Sequence, residues 1–267
     1  MTTTQRPVGD HLREWRQRRR LSQLELACEA DISTRHLSFL ETGRSQPSRD
    51  MVLHLAERLD VPLRERNAIL VAAGYAPVFP ERSLDDPALS AAREAIRLVL
   101  DGHEPSPAIA IDRHWTLVAA NKAVAPLMAG ADPKLIEPPV NVLRLSLHPK
   151  GIAPHILNFT QWRGHVLERL RRQIATSADP VLMALLEELE GYMAPAPPDA
   201  PDEAVGHGDP AGFVVPLRIK LHGEVLTFIS TTTVFGTPVD VALEQLAVES
   251  FFPADAATAQ ALRRLAG

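Results

Sequence analysis

Cysteine is almost absent from this 267-residue chain. Its one example, Cys28, excludes an internal disulfide and cannot by itself build a zinc site. Cys28 falls inside a helical pattern, where a small buried apolar residue is the expected role. Long hydrophobic runs are missing too. No stretch approaches the ~20 apolar residues that span a bilayer, so no membrane-crossing helix is expected. Met1-Thr2-Thr3-Thr4-Gln5-Arg6-Pro7 leads into no apolar segment, so a secretory signal is not expected and a cytoplasmic location is. Catalytic signatures are equally scarce. The ten His are scattered, and none pairs at the spacing of a helix-borne metal motif. Gly206-His207-Gly208 follows no strand pattern and is no nucleotide loop. Asp101, Glu104 and Asp112 supply carboxylates without marking an acid–base pair. The expectation is a protein that is not an enzyme and holds neither metal nor cofactor, apart from a bound ligand considered below.

What is present is the balance of a folded chain, 45% hydrophobic and 23% charged, with enough apolar material for two cores. The net charge of −5 hides an asymmetry. Residues 1–75 hold twelve Arg against ten acidic residues, a surplus of two positive charges. Against totals of 28 basic and 33 acidic residues, the remainder keeps 16 and 23, seven more negative than positive. A mildly basic head on an acidic body permits contact between the head and phosphates.

Residues 8–74 read as five short helices. Ser22-Gln23-Leu24-Glu25 is a capping box, in which the Ser22 hydroxyl and the Glu25 carboxylate each accept from the other's backbone N–H. Asp31-Ile32-Ser33 breaks the pattern, and Ser33 caps a third helix running to about Leu40. Thr42-Gly43 ends that helix, and Ser48 starts a fourth. The fifth covers Leu63 to Ala73 and stops at Gly74. Two helices joined by a short turn can present the second to a DNA major groove. Leu37 and Leu40 then face inward, leaving Thr34, Arg35, Ser38 and Phe39 outward. Arg35 suits a guanine edge, and Thr34 and Ser38 can reach bases or phosphates. Phe39 suits either a thymine methyl or packing within the domain. Gln23, Ser33 and Arg44 complete the candidate DNA-binding set, with Gln23 placed to grip a phosphate. Arg18-Arg19-Arg20 reads equally as a phosphate patch or a solvated helix end.

Pro77, Pro80 and Pro87 break the chain after the head, and a connecting helix is expected from about Ala88 to Leu100. Ala108–Asp112 and Thr116–Ala120 read as paired strands, with Asn121 opening a helix to about Met128. Helices are expected over His155–Ile174 and Pro180–Tyr192, a loop over Ala194–Pro210, and a hairpin around His222-Gly223. Val241–Phe252 fits strand or helix, and strand is preferred. The organisation is 1–76 as the head, 77–104 as linker with its helix, and 105–267 as an α+β domain with an antiparallel sheet. Leu157, Phe159, Trp162, Val166, Leu170, Phe213, Val215, Phe228 and Ile229 suit either an apolar pocket or ordinary core. Arg144, Arg163 or His148 could meet a carboxylate at the pocket mouth. Arg144, Trp162, Arg163 and Phe228 are the candidate ligand-binding residues.

Ser22-Gln23-Leu24-Glu25-Leu26-Ala27, Ser33 to Leu40 and Glu41-Thr42-Gly43-Arg44 resemble the lambda-repressor-like (XRE-type) helix-turn-helix, with Asp31 where that family often has Gly. A wider resemblance, to the MmyB-like regulators, rests in the head on Glu65-Arg66-Asn67 and Ala72-Ala73-Gly74-Tyr75-Ala76-Pro77. In the rear it rests on Asn141-Val142-Leu143-Arg144-Leu145, Phe235-Gly236-Thr237-Pro238-Val239-Asp240 and Glu249-Ser250-Phe251-Phe252-Pro253. The resemblance implies an all-α helix-turn-helix head joined to a PAS-like domain that binds a small apolar ligand, a fatty acid or similar lipid. It also implies double-stranded DNA as partner. One small head reads few bases, so a homodimer is expected. A rear domain serving only dimerisation or protein–protein interaction is the alternative.

Overall fold

The structure, a computed structural model, describes residues 6–82, 86–177, 179–195, 215–234 and 240–266. The helices are α1 (Val8–Arg18), α2 (Gln23–Glu29), α3 (Thr34–Glu41), α4 (Arg49–Arg58), α5 (Leu63–Ala72), α6 (Ser90–Asp101), α7 (Ala125–Met128) and α8 (Pro133–Ile136). They continue as α9 (Val142–Leu147), α10 (Phe159–Ser177), α11 (Pro180–Glu190), α12 (Val241–Glu244) and α13 (Ala256–Leu265). The strands are β1 (Ala108–Ile111), β2 (Leu117–Ala120), β3 (Leu217–Leu221), β4 (Glu224–Val234) and β5 (Ala247–Pro253). Two compact units result. One comprises residues 1–87 with 236–244, the other 88–235 with 245–267.

In the first unit, local sequence sets the helix starts. The Ser22–Glu25 capping box forms in both directions, and the Ser33 and Ser48 hydroxyls accept from the N–H groups of His36 and Met51. Asp31, just past the α2 C-cap, opens the α2–α3 turn at φ 51°, a left-handed conformation that Asp tolerates better than most side chains. Leu12, Leu26, Leu37, Leu40, Leu55 and Ile69 are wholly buried and form one core. Gly9 permits the approach of α1 to α3, because a Cβ there would stand 2.5 Å from the Leu40 carbonyl oxygen. Cys28, expected to be buried, is exposed: Leu26 and Ala27 occupy the inward face of α2 and leave Cys28 outside it.

A second constraint in this unit comes from far along the chain. Pro62 precedes α5 without a side-chain cap. Both Glu244 oxygens accept from the Leu63 N–H, at 2.8 and 3.1 Å. Asp240 is fully buried, receives Arg82 at 3.1 Å and accepts from the Ala242 N–H. Residues 241–244 are therefore helical. The preference for one strand across Val241–Phe252 is corrected to a short helix followed by β5, because Asp240 caps the first turn and strand pairing begins only at Ala247. Burial raises the Glu244 carboxyl pKa above its ordinary value, while the Leu63 N–H works the other way.

The second unit carries an antiparallel sheet in the order β2-β1-β5-β4-β3, the PAS-like arrangement. His222 and Gly223, both at positive φ, make the β3–β4 hairpin as expected. The long helix starts at Phe159 and not at His155, because Ala153–His155 is a separate 3-10 turn and Ile156 bridges to Ile219. Helix α13, absent from the sequence expectations, packs on β4 and β5 and is capped by Asp255. The loop expected over Ala194–Pro210 lies almost entirely outside the described residues, as does Phe213.

The Glu244 cap yields a local stability test. Glu244→Ala is expected to cost about 1 kcal/mol, as lost N-terminal helix caps do. That is roughly a fivefold fall in amide protection, read over α5 by hydrogen exchange with β4 as the internal control. Unchanged α5 protection would remove Glu244 from the account of this helix start.

Candidate functional site

Helix α3 has two chemically distinct faces. Leu37, Leu40 and Glu41 point inward, while Arg35 is exposed and Thr34 and Ser38 are half-exposed. The Arg35 guanidinium lies 5.3 Å from the centroid of the half-buried Phe39 ring, and that of Arg44 lies 5.9 Å from it. Such cation–π contacts hold long side chains near a surface without neutralising them. Among the described residues, neither Arg35 nor Arg44 is paired with a carboxylate. The Ser33 hydroxyl oxygen is engaged as the α3 cap.

Behind that face, Arg16 donates to both Glu41 oxygens, at 2.6 and 2.9 Å, and to the Leu21 carbonyl at 2.8 Å. The Gln23 amide adds a 2.8 Å hydrogen bond to the same carboxylate. The bond to Glu41 raises the Arg16 pKa above its ordinary value, against the effect of burial. One Gln23 N–H is thus spent on Glu41, leaving its other donor and its carbonyl oxygen. Of the basic cluster, Arg19 donates to the carbonyls of Leu59 and Asp60 and so closes α4, a role outside both sequence readings.

The second unit holds an apolar cavity of about 110 Å³ between sheet and helices. Its walls include Ile109 of β1, Leu117 of β2, Leu143 of α9, Ile219 of β3 and Phe251 of β5. Helix α10 contributes Trp162, His165, Val166 and Arg169, which at spacings of three, four and seven share one face. The polar lining is brief: Ser146, His165, Arg169 and Glu249. Trp162 donates its indole N–H to Ser146 Oγ at 3.0 Å. Arg169 holds both oxygens of the buried Glu249, donates to the Thr232 hydroxyl at 2.7 Å, and lies 4.6 Å over the Trp115 ring. Burial, then Arg169 and Arg172, depress the His165 pKa, so its imidazole is neutral near pH 7.

Of the four ligand-binding candidates, the structure brings only Trp162 to this cavity. Arg144 makes a bidentate pair with Glu188. Arg163 donates to the carbonyls of Leu189 and Glu190 at the end of α11. Phe228 is fully buried behind the wall, edge-on to Phe251. His148 packs edge-on against Tyr192. The cation that does line the cavity is Arg169. Helical period could have found it, since Arg169 follows Trp162 by seven residues whereas Arg163 is turned ~100° away.

Among the described residues, no cluster of three or more His, Cys, Asp and Glu is placed to hold a metal ion. No described helix is long and apolar enough to cross a membrane. In comparisons with known proteins, the family model for the MmyB-like transcription regulator ligand binding domain matches residues 92–265, well over half of the chain. A helix-turn-helix domain model matches residues 7–69. A search of curated proteins returned no match.

The depressed His165 pKa has a checkable sign. Stability held by its neutral form is fully present above pH ~6.5 and is lost as pH falls through the unfolded-state value toward the lower folded one. Denaturant midpoints of the sheet unit should therefore fall on acidification, and His165→Gln should flatten part of that fall. Identical pH slopes in the two proteins would exclude His165 as a contributor.

Proposed function

The chain belongs to the family of MmyB-like transcription regulators, and from that premise we propose that it recognises DNA through the outward face of α3 and responds to a small apolar ligand held in the cavity of its sheet unit. The observation that carries the DNA half is the α3 surface, where Arg35 and Arg44 flank Phe39 without carboxylate partners among the described residues. In this reading Arg35 donates two hydrogen bonds to a guanine edge, the commonest specific side-chain contact. Thr34 and Ser38 reach neighbouring bases or phosphates, and Phe39 packs on a thymine methyl. Gln23, Ser33 and Arg44 hold the phosphate backbone and fix the register of the helix.

A homodimer belongs to the same proposal, because two heads on half-sites ~34–36 Å apart read enough sequence for genomic specificity. The ligand half rests on the cavity, whose lining is apolar save for four side chains. A fatty acid or similar lipid is the occupant class that the family resemblance suggests. Binding there changes DNA affinity only if the ligand favours one arrangement of the dimer over another, typically by ~1–3 kcal/mol.

Two measurements test this. Arg35→Ala should lose about 1–3 kcal/mol of discrimination at one base pair of the selected operator; unchanged operator choice and affinity would reject the assignment of α3. Native mass spectrometry before and after organic extraction should reveal an apolar molecule carried by the protein. A protein that carries nothing and binds no apolar compound would leave the sheet unit as a dimerisation element.

A further inference from the structure

Taking the cavity as the ligand site, which rests on the reading above, we propose that it selects a short molecule with an uncharged hydrogen-bonding head group over an ionised carboxylate of the same length. The argument begins with what Arg169 already does. Its guanidinium holds both oxygens of Glu249, contacts the Thr232 hydroxyl, and lies against the Trp115 ring. Glu249 is 4% exposed and central to the sheet. Its backbone stands between Ile109 of β1 and Thr232 of β4, and its buried carboxylate is held in place by Arg169. The Thr232 hydroxyl donates to it at 2.8 Å. The cation at the cavity edge is therefore already neutralised by a fixed carboxylate.

An ionised ligand head placed here brings a second carboxylate to one guanidinium. The local charge then falls from zero to minus one in a largely apolar setting, where an uncompensated charge is costly. His165 does not already supply a compensating charge, because burial and two nearby arginines favour its neutral form against the opposing pull of Glu249. The hydrogen-bonding capacity that remains is of another kind. Ser146 accepts from Trp162, which leaves its own hydroxyl proton to donate. The His165 imidazole has no hydrogen-bond partner among the described residues, and its ring lies 5.7 Å from that of Trp162. These two groups flank the same indole and offer one donor beside a neutral imidazole, a match for an alcohol, ketone, ester or amide. Volume bears on length. At about 110 Å³ the cavity is of the same order as the ~150 Å³ cavity known to take benzene, which suits a short chain.

The test compares matched probes on the full chain by calorimetry and tryptophan emission at about pH 7.5, where hexanoate is ionised. 1-Hexanol should bind roughly tenfold or more tightly than hexanoate, the scale of an unpaired charge beside a like one. Glu249→Gln frees Arg169 and should raise hexanoate affinity by a similar factor while leaving 1-hexanol nearly unchanged. The wild-type comparison decides the matter even if that variant fails to fold. Hexanoate binding as well as or better than 1-hexanol would overturn the head-group inference and leave the cavity as a ligand site. Binding of neither, nor of dodecanol or dodecanoate as longer probes, would overturn both.

Discussion

The orientation of α3 depends on a buried ion pair. Arg16 lies on α1 and Glu41 at the end of α3, and their two hydrogen bonds tie the helices together inside an otherwise apolar unit. A buried pair is not a large net source of stability, since its Coulomb attraction is offset by the cost of desolvating both groups. Its effect is geometric. With Gln23 adding a third donor, the Glu41 carboxylate gathers groups from α1, the start of α2 and the end of α3 at one point. Removing one partner leaves the other charged and unpaired, typically at a cost of about 3–5 kcal/mol. The outward face of α3 is therefore held from behind by groups that never reach the surface it presents.

The sheet unit uses the same device to another end. Arg169 of α10 and Glu249 of β5 fix the long helix to the centre of the sheet. Here the pair stands at the edge of a cavity, so the bond that positions the helix also sets the charge an occupant meets. Trp115 contributes twice: its ring lies beneath the guanidinium, and its N–H donates to Gln173 at 2.9 Å, which reinforces the placement of α10.

Much of this was legible in the residues. Helix starts were, because Ser22, Ser33 and Ser48 act on backbone groups three residues away. The β3–β4 hairpin was, because His222-Gly223 sits between alternating runs. The face of α3 followed from its apolar period. What escaped depended on partners distant in sequence. Arg144 and Arg163 looked available for a carboxylate, yet each is taken by α11, a partner no local pattern announces. Cys28 looked like core because apolar residues precede it. Val241 onward read as strand, because nothing nearby in sequence shows that Asp240, paired with Arg82 in the interior, would cap a helical turn there.

That last contact bears on how such proteins can be recombined. The helical unit is not a continuous length of chain: Asp240–Glu244 belongs to it, although the flanking strands β4 and β5 belong to the other unit. The backbone therefore passes between the units three times, near residues 87, 235 and 244. A head exchanged at a single joint would leave behind the carboxylate on its fifth helix and the buried partner of Arg82. The helical unit is thus built from two separate lengths of chain, and a graft must carry both to transplant it whole.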